Sequence, residues 1–303
     1  DPLRVPYKGK LLEGGALKAQ LQQWLHRGII GEDACGALGA IADQTAVDLA
    51  GQHFVVLGAG SEMCPLVTLL EHGATVYAVE LARPQTWRRL ATIARASRGV
   101  LVAPLAGGGA ELGEPRIQVL GEDLSEDEFC EAAGCNLLED TPKVAAWICG
   151  QGQGHRLCLG SYVYLDGANF VRVALAADAV LEAVCAAQPD CVLAFLSSPT
   201  ECYLAPEACF QEAARTLANP PAGRLHRLWY TPLRLASRGR YLSPLEPSAR
   251  VSTKSGGVLL LRDDYVWMQG PNYAFAKHIQ RWRVLLARSR GHTTSANMGP
   301  MTL

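Results

Sequence analysis

Residues 53–84 of the chain read HFVVLGAGSEMCPLVTLLEHGATVYAVELARP. The stretch begins with a short apolar run, turns at two glycines, and continues with helical apolar spacing as far as Gly73. A second apolar run, TVYAVE, ends at Glu80. Strand, turn, helix and strand in this order form a β-α-β unit, whose two strands run parallel because a helix connects them. The stretch therefore predicts a parallel sheet covered by helices.

The alternation of strands and helices continues along the chain. We expect helices at residues 83–97, 125–133, 169–187 and 273–291, and strands at residues 116–124, 191–201 and 292–301. The acidic start of SEDEFCEAA suits a capped helix N-terminus. The predicted fold class is α/β, a Rossmann-like doubly wound parallel sheet.

Two segments lie outside this pattern. Residues 1–48 have apolar side chains roughly at helical spacing, which predicts an N-terminal helical extension before a Rossmann-like domain at residues 49–303. Residues 199–270 are rich in proline and predict a long insertion before the last helix, with one strand at GVLLLRD. Because long ordered insertions are commonly functional, we expect this one to cover the binding edge of the sheet.

The composition excludes several partners. Of the 303 residues 49% are hydrophobic and 19% are charged, and the formal net charge is −1. Lys and Arg are balanced by Asp and Glu and form no long block, so we expect no nucleic-acid partner. No apolar run approaches the roughly 20 residues of a membrane-spanning helix, so we expect a soluble chain without a membrane span.

Cysteine and histidine usage points to an intracellular protein without a metal. The ten cysteines contain no C-x-x-C pair and several lie in apolar runs, which favours reduced thiols. The chain begins without Met, so we expect a processed or partial chain in the cytoplasm, or in an organelle after removal of a transit peptide. The seven histidines form no paired motif, so no metal site is expected.

The turn after the first strand is the predicted nucleotide site. Gly58, Gly60 and Ser61 are small enough for a pyrophosphate to approach the backbone, and the N-terminus of the next helix favours its negative charge. Glu80, at the end of the second strand, is placed to accept hydrogen bonds from the ribose hydroxyls. Its charge also repels a 2′-phosphate, which favours NAD over NADP.

Two departures leave other interpretations of this turn open. Met63 stands where the third glycine of G-x-G-x-x-G belongs, and Arg83 follows Glu80 closely enough to weaken the preference for NAD. The same residues fit an ordinary tight turn in a Rossmann-like sheet. They also fit a methyltransferase that uses S-adenosylmethionine, because such enzymes share the order of strand, glycine turn, strand and acid.

Tyr273 and Lys277 open the last predicted helix, in GPNYAFAKHIQRWR. Residues four apart share a helix face, so the ammonium lies near the phenol, stabilises phenolate and lowers a pKa that starts near ~10. The spacing therefore predicts proton transfer, and it equally fits two packing residues of an amphipathic helix. A solvated helix face is predicted for Arg281, Arg283, Arg288 and Arg290.

Together these motifs resemble the short-chain dehydrogenase/reductase family, in order from about residue 52 to 303. VVLGAGSEMC resembles the glycine-rich turn of the family, and VLAFLSSPTE resembles the strand that carries its catalytic serine. YAFAK matches its Y-x-x-x-K motif, and RGHTTSANMGPMT resembles the segment that follows the motif's helix.

The resemblance implies a role for each matching residue. Tyr273 would be the catalytic acid or base, Lys277 would tune it and hold the nicotinamide ribose, and Ser197 or Ser198 would orient the substrate oxygen. The implied reaction is NAD(P)-dependent oxidation or reduction of a carbonyl/alcohol pair in a small-molecule substrate.

Further cofactor contacts and a quaternary structure are implied as well. Asp123, in VLGEDLSEDE, would contact the adenine, and Thr302 would hold the nicotinamide side. The implied cofactor is NAD or NADP, with NAD favoured by Glu80. The family also implies a homo-oligomer, or a complex subunit, built on the long helices.

Departures from the family leave a second function open. The insertion at 199–270 separates the serines from Tyr273, and no N-N-A-G follows a fourth strand. The alternative is a catalytically inactive Rossmann-fold scaffold or regulatory protein. Ser197 and Ser198 would then only end a strand, and Asp123 would cap the helix after it.

Overall fold

The computed structural model describes most of the chain. Asp123, Ser198 and Thr302 lie outside the described residues, as does the side chain of Ser197. The described residues are 2–27, 29–44, 46–105, 118–119, 125–151, 153–197, 201–218, 229, 232–233, 235–236, 247–254, 256–264 and 270–298.

The N-terminal segment contains a β-hairpin as well as helices. Its elements are β1 (Val5–Tyr7), β2 (Lys10–Leu12), α1 (Gly14–His26) and α2 (Glu32–Ala42). β1 and β2 pair antiparallel, and the two helices form a small hydrophobic cluster of their own around Leu17. The expectation of an entirely helical extension was wrong about the hairpin, because strands of three residues are too short to show a period.

The rest of the described chain alternates strands and helices. None of the helices described is long and apolar enough to cross a membrane. In chain order the elements are β3 (His53–Leu57), α3 (Leu66–Glu71), β4 (Thr75–Val79), α4 (Pro84–Arg95), β5 (Val100–Ala103), β6 (Gln118–Val119), α5 (Glu126–Ala132), α6 (Leu137–Gln151), β7 (Leu157–Ser161), α7 (Ala168–Ala187), β8 (Val192–Ser197), β9 (Glu201–Pro206), α8 (Glu207–Ala218), β10 (Ala249–Ser252), β11 (Val258–Asp264), α9 (Gly270–Ser289) and β12 (Thr293–Met298).

The central sheet has the strand order β12-β8-β7-β3-β4-β5-β6 among the described residues. Every neighbouring pair runs parallel except β5 and β6, which are antiparallel. Its six parallel strands follow the order of the doubly wound dinucleotide-binding fold, in which the connections change direction between the first and fourth strands, here β3 and β7. The predicted Rossmann-like fold class is confirmed.

Helices cover both faces of this sheet. Because side chains alternate along a strand, Val55 and Leu57 face α6, α7 and α9, whereas Val56 faces α3, α4 and α5. Strands that are buried on both faces read as continuous apolar runs. This is why β3 and β4 could be recognised from the sequence.

The third parallel strand differs from the predicted one. It is β5 (Val100–Ala103), whereas the described part of the strand predicted at residues 116–124 is β6, which runs antiparallel to β5 at the sheet edge. The carboxyl end of β6 therefore points away from the edge where β3 and β4 end. Asp123, for which the resemblance implies an adenine contact, lies outside the described residues, and that contact stays a prediction.

α9 is held against α7 by a buried ion pair. Arg283 is only 6% exposed, and its Nε and Nη2 donate to Asp178 Oδ1 and Oδ2 at 2.7 and 2.8 Å. The expectation of a solvated arginine face was therefore wrong for Arg283. The pair holds α9, which carries Tyr273 in its first turns, against α7.

The insertion at 199–270 contains a small sheet of its own. In the part of it that is described, β9, β10 and β11 pair antiparallel in the order β10-β11-β9, and α8 follows β9 directly. β11 coincides with the strand predicted at GVLLLRD. The two other strands were missed in a stretch that was interpreted mainly from its prolines.

Candidate functional site

A cavity of about 1000 Å³ opens at the carboxyl ends of β3, β4, β7 and β8. It is bordered by the turn after β3, by Glu80 after β4, and by the first turns of α9. β3 and β7 lie side by side while their connections run to opposite sides, and open α/β sheets bind ligands at such a switch point. The volume is at the upper end of the roughly 300–1,000 Å³ typical of small-molecule sites, which leaves room for an elongated ligand.

The turn after β3 needs glycine at its first position. Gly58 has a φ of +84°, and a Cβ there would lie 2.8 Å from backbone atoms of Tyr162 and Val163, which follow β7. The Gly58 N–H donates to the carbonyl of Val79 at 2.8 Å. The turn is thus clamped between the ends of β4 and β7, where only a residue without a side chain fits.

The Glu80 carboxylate accepts hydrogen bonds from the backbone of the turn after β3 and from its own neighbour Leu81. Its Oε2 accepts a hydrogen bond from Gly60 N–H at 2.7 Å, and its Oε1 accepts one from Leu81 N–H at 2.9 Å. Arg89 Nη2 donates to the Gly60 carbonyl at 2.8 Å. Each carboxylate oxygen keeps one lone pair, so Glu80 can still accept a hydroxyl from a ligand in the cavity.

The helix after the turn is shorter and begins later than expected. α3 starts at Leu66 and has six residues, so no long helix points its N-terminus at Gly60. The N–H groups of residues 58–61 donate to Val79, Glu80 and Gly58. The backbone donors of the turn are bonded within the protein and Glu80 adds a negative charge. The phosphate contact expected at this turn stays a prediction.

Tyr273 and Lys277 lie on the same side of α9 and border the cavity. Lys277 Nζ lies 5.8 Å from the centre of the Tyr273 ring and 6.0 Å from that of Phe170. It also donates to Gln280 Oε1 at 3.1 Å. The Tyr273 ring packs on Phe170, with ring centres 5.4 Å apart, and this contact holds the ring. Tyr273 also borders the cavity.

The structure places the predicted serines only in part. Ser197 ends β8, beside Leu196, which borders the cavity. Ser198, Asp123 and Thr302 lie outside the described residues. Of the predicted site residues, the fold brings six to one cavity: Gly58, Gly60, Ser61, Glu80, Tyr273 and Lys277.

Ser161 is a cavity residue that the sequence reasoning missed. It ends β7, it is 2% exposed, and its hydroxyl has no hydrogen-bond partner among the described residues. A buried hydroxyl without a partner costs free energy, so a ligand group that bonds to it would be favoured. The rule that ligands meet the carboxyl ends of strands would have found Ser161, had residues 157–161 been recognised as a strand.

Other polar groups at the cavity are held in their neutral forms. Burial raises the pKa of Tyr162, and burial with a hydrogen bond to Asp166 raises the pKa of Tyr164. Burial also raises the pKa of Cys135 to about 12. These phenols and this thiol remain protonated near neutral pH and are poor bases or nucleophiles.

A second group of reactive side chains lies away from the cavity. Cys185, Cys191 and His292 come together, with their ligand atoms within 4.8 Å of one another, at the opposite edge of the sheet. They come from three separate segments, which is why no spacing in the sequence revealed them.

Comparison with known proteins finds no family model and no curated protein that matches the chain. The solved structures that match include a presumed dehydrogenase from Xanthomonas campestris, at 16% identity and a TM-score of 0.33, over 51% of this chain and 56% of that chain. They also include a 3-oxoacyl-(acyl-carrier protein) reductase from Brucella melitensis, at 10% identity and a TM-score of 0.31, over 51% of this chain and 55% of that chain. The chain thus spans little more than half of either structure, and likeness at this level identifies no substrate, cofactor or reaction.

Proposed function

We propose that the protein is an NAD(P)-dependent oxidoreductase acting on a carbonyl/alcohol pair in a small molecule. One observation carries the proposal: a single cavity at the switch point of the sheet is bordered by the Gly58 turn, by Glu80, and by Tyr273 with Lys277. Glu80, which can accept the ribose hydroxyls, and the Tyr273–Lys277 pair, which can transfer a proton, thus border the same cavity. The resemblance to short-chain dehydrogenases/reductases requires this arrangement.

The chain's own part in the reaction is to move a proton. In the direction of reduction, the Tyr273 phenol donates its proton to the carbonyl oxygen of the substrate, and in oxidation the phenolate takes it back from the hydroxyl. The Lys277 ammonium, on the same helix face, favours the phenolate that is left behind. A bound dinucleotide would supply the hydride to the same carbon atom in reduction or accept it in oxidation.

Glu80 and Ser161 would orient the two ligands. Glu80 keeps a lone pair on each oxygen for the ribose hydroxyls, and its charge favours NAD over NADP, with Arg83 beside it as the opposing influence. Ser161 offers a buried hydroxyl without a partner, which suits the substrate oxygen or the nicotinamide amide. Ser197 and Ser198, at the end of β8, are the serines that the family resemblance favours for the substrate oxygen.

A second candidate is a protein that keeps the fold without turnover. The observation in its favour is that the backbone N–H groups of residues 58–61 are bonded within the protein, and that the Glu80 carboxylate stands where a pyrophosphate would approach. Such a protein would bind a dinucleotide in the cavity without turnover, or no ligand at all.

The proposal includes a reducing compartment and contact between subunits. The cysteines described with side chains are free thiols. On the outer faces of α7 and α9, Leu175, Phe275, Trp282 and Leu285 are each at least half exposed, which supports a homo-oligomer or a complex subunit. Light scattering after size-exclusion chromatography tests this directly, and a monomer that is unaffected by Trp282→Glu would reject the homo-oligomer.

Calorimetric titration of NADH, NADPH and S-adenosylmethionine tests the cofactor. The proteins compared are the wild type, Lys277→Met and the control Lys143→Met, which changes an exposed lysine of α6. We expect a dinucleotide to bind the wild type and the control, and to bind Lys277→Met at least about tenfold more weakly, because a contact to the ribose is lost.

Two results would overturn the proposal. Binding of S-adenosylmethionine alone would assign the cavity to a methyltransferase, and binding of none of the three would favour the scaffold. If a dinucleotide binds, Tyr273→Phe should keep its affinity and abolish turnover in a screen of aldehydes, ketones and alcohols.

A further inference from the structure

Three side chains with metal-binding atoms meet at the amino ends of β8 and β12. Cys185 lies in the last turn of α7, Cys191 directly precedes β8, and His292 directly precedes β12. The Cys191 thiol is fully buried and that of Cys185 is nearly so. This Cys–Cys–His cluster lies at the sheet edge opposite the cavity and has no part in the function proposed above.

Two distances within the Cys–Cys–His cluster match the edges of a tetrahedral site, and all three ligand atoms lie within 4.8 Å of one another. Cys185 Sγ and Cys191 Sγ are 3.7 Å apart, and Cys191 Sγ is 3.5 Å from His292 Nδ1. Bonds of about 2.3 Å to sulfur and about 2.0–2.1 Å to nitrogen give tetrahedral edges of about 3.8 Å between sulfurs and about 3.5–3.6 Å between sulfur and nitrogen. A single ion can therefore contact all three atoms after small side-chain adjustments.

We propose that Cys185, Cys191 and His292 bind a thiophilic divalent ion with the chemistry of Zn²⁺. Two thiolates and one imidazole form a soft donor set that suits zinc rather than magnesium or calcium. On binding, each thiol loses its proton to solvent and forms one bond to the metal, so one Zn²⁺ replaces two protons. Three protein ligands leave the fourth position to water, as in open zinc sites.

In the metal-free protein the side chains of the cluster form hydrogen bonds to one another and to the backbone, and a bound ion must replace these bonds. Cys191 Sγ–H donates to Cys185 Sγ, and His292 Nδ1 lies 3.3 Å from the Cys191 carbonyl, so an N–H at that position would donate there. The ion takes the Nδ1 lone pair and leaves the proton on Nε2. A disulfide is a different outcome, since it would bring the sulfurs to about 2.0 Å and consume both ligands.

A metal at this cluster would tie the edge of the sheet to its neighbours. Among the described residues β12 pairs with β8 alone, and the three ligands belong to the segments that precede β12 and β8 and to the end of α7. Because the ion binds the folded chain and not the unfolded one, it raises the free energy of unfolding. Zinc is therefore expected to raise the thermal midpoint without changing the ligand affinity of the cavity.

The test is a titration of the reduced full-length protein with Co²⁺, followed by displacement with Zn²⁺. Thiolate ligands give Co²⁺ a charge-transfer absorption that reports on the sulfur donors. The variants are Cys191→Ser and His292→Gln, and the control is Cys130→Ser, which changes a fully buried thiol outside the cluster. Because His292 is only partly buried, His292→Gln carries the test if Cys191→Ser fails to fold.

We expect one equivalent of Co²⁺ to bind the wild type and the control. Both cluster variants should lose more affinity than the roughly 10–100-fold that removal of an outer partner of a metal ligand costs. Absence of stoichiometric binding, or binding that the two variants leave unchanged, would overturn the proposal. A Cys185–Cys191 disulfide in the protein as purified, detected by mass spectrometry, would replace it with a redox pair.

Discussion

Replacing Glu80 with glutamine tests whether this carboxylate holds the turn of the candidate site. Its two oxygens accept N–H groups from Gly60 and Leu81 at 2.7 and 2.9 Å. In Glu80→Gln one oxygen becomes an NH₂ group, which faces a donor and cannot accept from it. One charge-assisted hydrogen bond, of about 1.5–3 kcal/mol, is lost and the other is weakened, so we expect a loss of about 2–3 kcal/mol in the free energy of unfolding.

The assay is thermal unfolding at pH 7, with urea unfolding as a second measurement. With about 2.1 cal/mol/K of unfolding entropy per residue, a chain of this length loses about 3–5 °C in its thermal midpoint for that change. The matched control is Glu62→Gln, an exposed acid of the same turn, which should change the free energy of unfolding by no more than about 0.5 kcal/mol. Equal stability of Glu80→Gln and Glu62→Gln would refute the reasoning.

Three other predictions concern the rest of the molecule. Arg283→Ala removes the bidentate hydrogen bonds to Asp178 and the ion pair to Glu182. Because both carboxylates stay partly exposed to solvent, it should lower the free energy of unfolding by about 1.5–3 kcal/mol in urea titrations; a loss below about 1 kcal/mol would show that α9 does not depend on these contacts. Burial lowers the pKa of His53 from 6.5, so the unfolded chain binds more protons and stability should fall as the pH drops below about 6.5. His53→Gln should flatten this pH dependence of urea unfolding, and an unchanged slope would contradict it. Iodoacetamide at pH 8, with mass spectrometry, should label the exposed Cys209 well before Cys135, whose pKa is raised to about 12 by burial, and equal rates would reject that assignment.

The sequence predicted the first β-α-β unit well because strands buried on both faces leave continuous apolar runs. β5, Val100–Ala103, was missed because four residues after a helix give too short a signal. The third strand was instead predicted at residues 116–124. The helix at residues 125–133 was predicted from its acidic start, and the structure shows the reciprocal bonds between Ser125 and Glu128 of a capping box. Local signals of this kind can be detected in the sequence without the fold.

Contacts between distant segments could not be predicted in the same way. Gly58 and Glu80 were identified because they stand at strand ends within one β-α-β unit. The meeting of Cys185, Cys191 and His292 depends on the strand order, which places residues 101 positions apart at neighbouring strand ends. Whether an arginine is buried likewise depends on which carboxylate packs against it, as Arg283 shows.

A crystal structure of the protein with NADH tests the central claim most directly. We expect a dinucleotide across the cavity, with the adenosine ribose bonded to Glu80 and the nicotinamide beside Tyr273. The decisive measurement is the distance from the nicotinamide ring to the Tyr273 oxygen, which must leave space for one carbonyl group between them. A dinucleotide bound elsewhere, or one whose nicotinamide points away from Tyr273, would contradict the claim that this cavity performs oxidation and reduction.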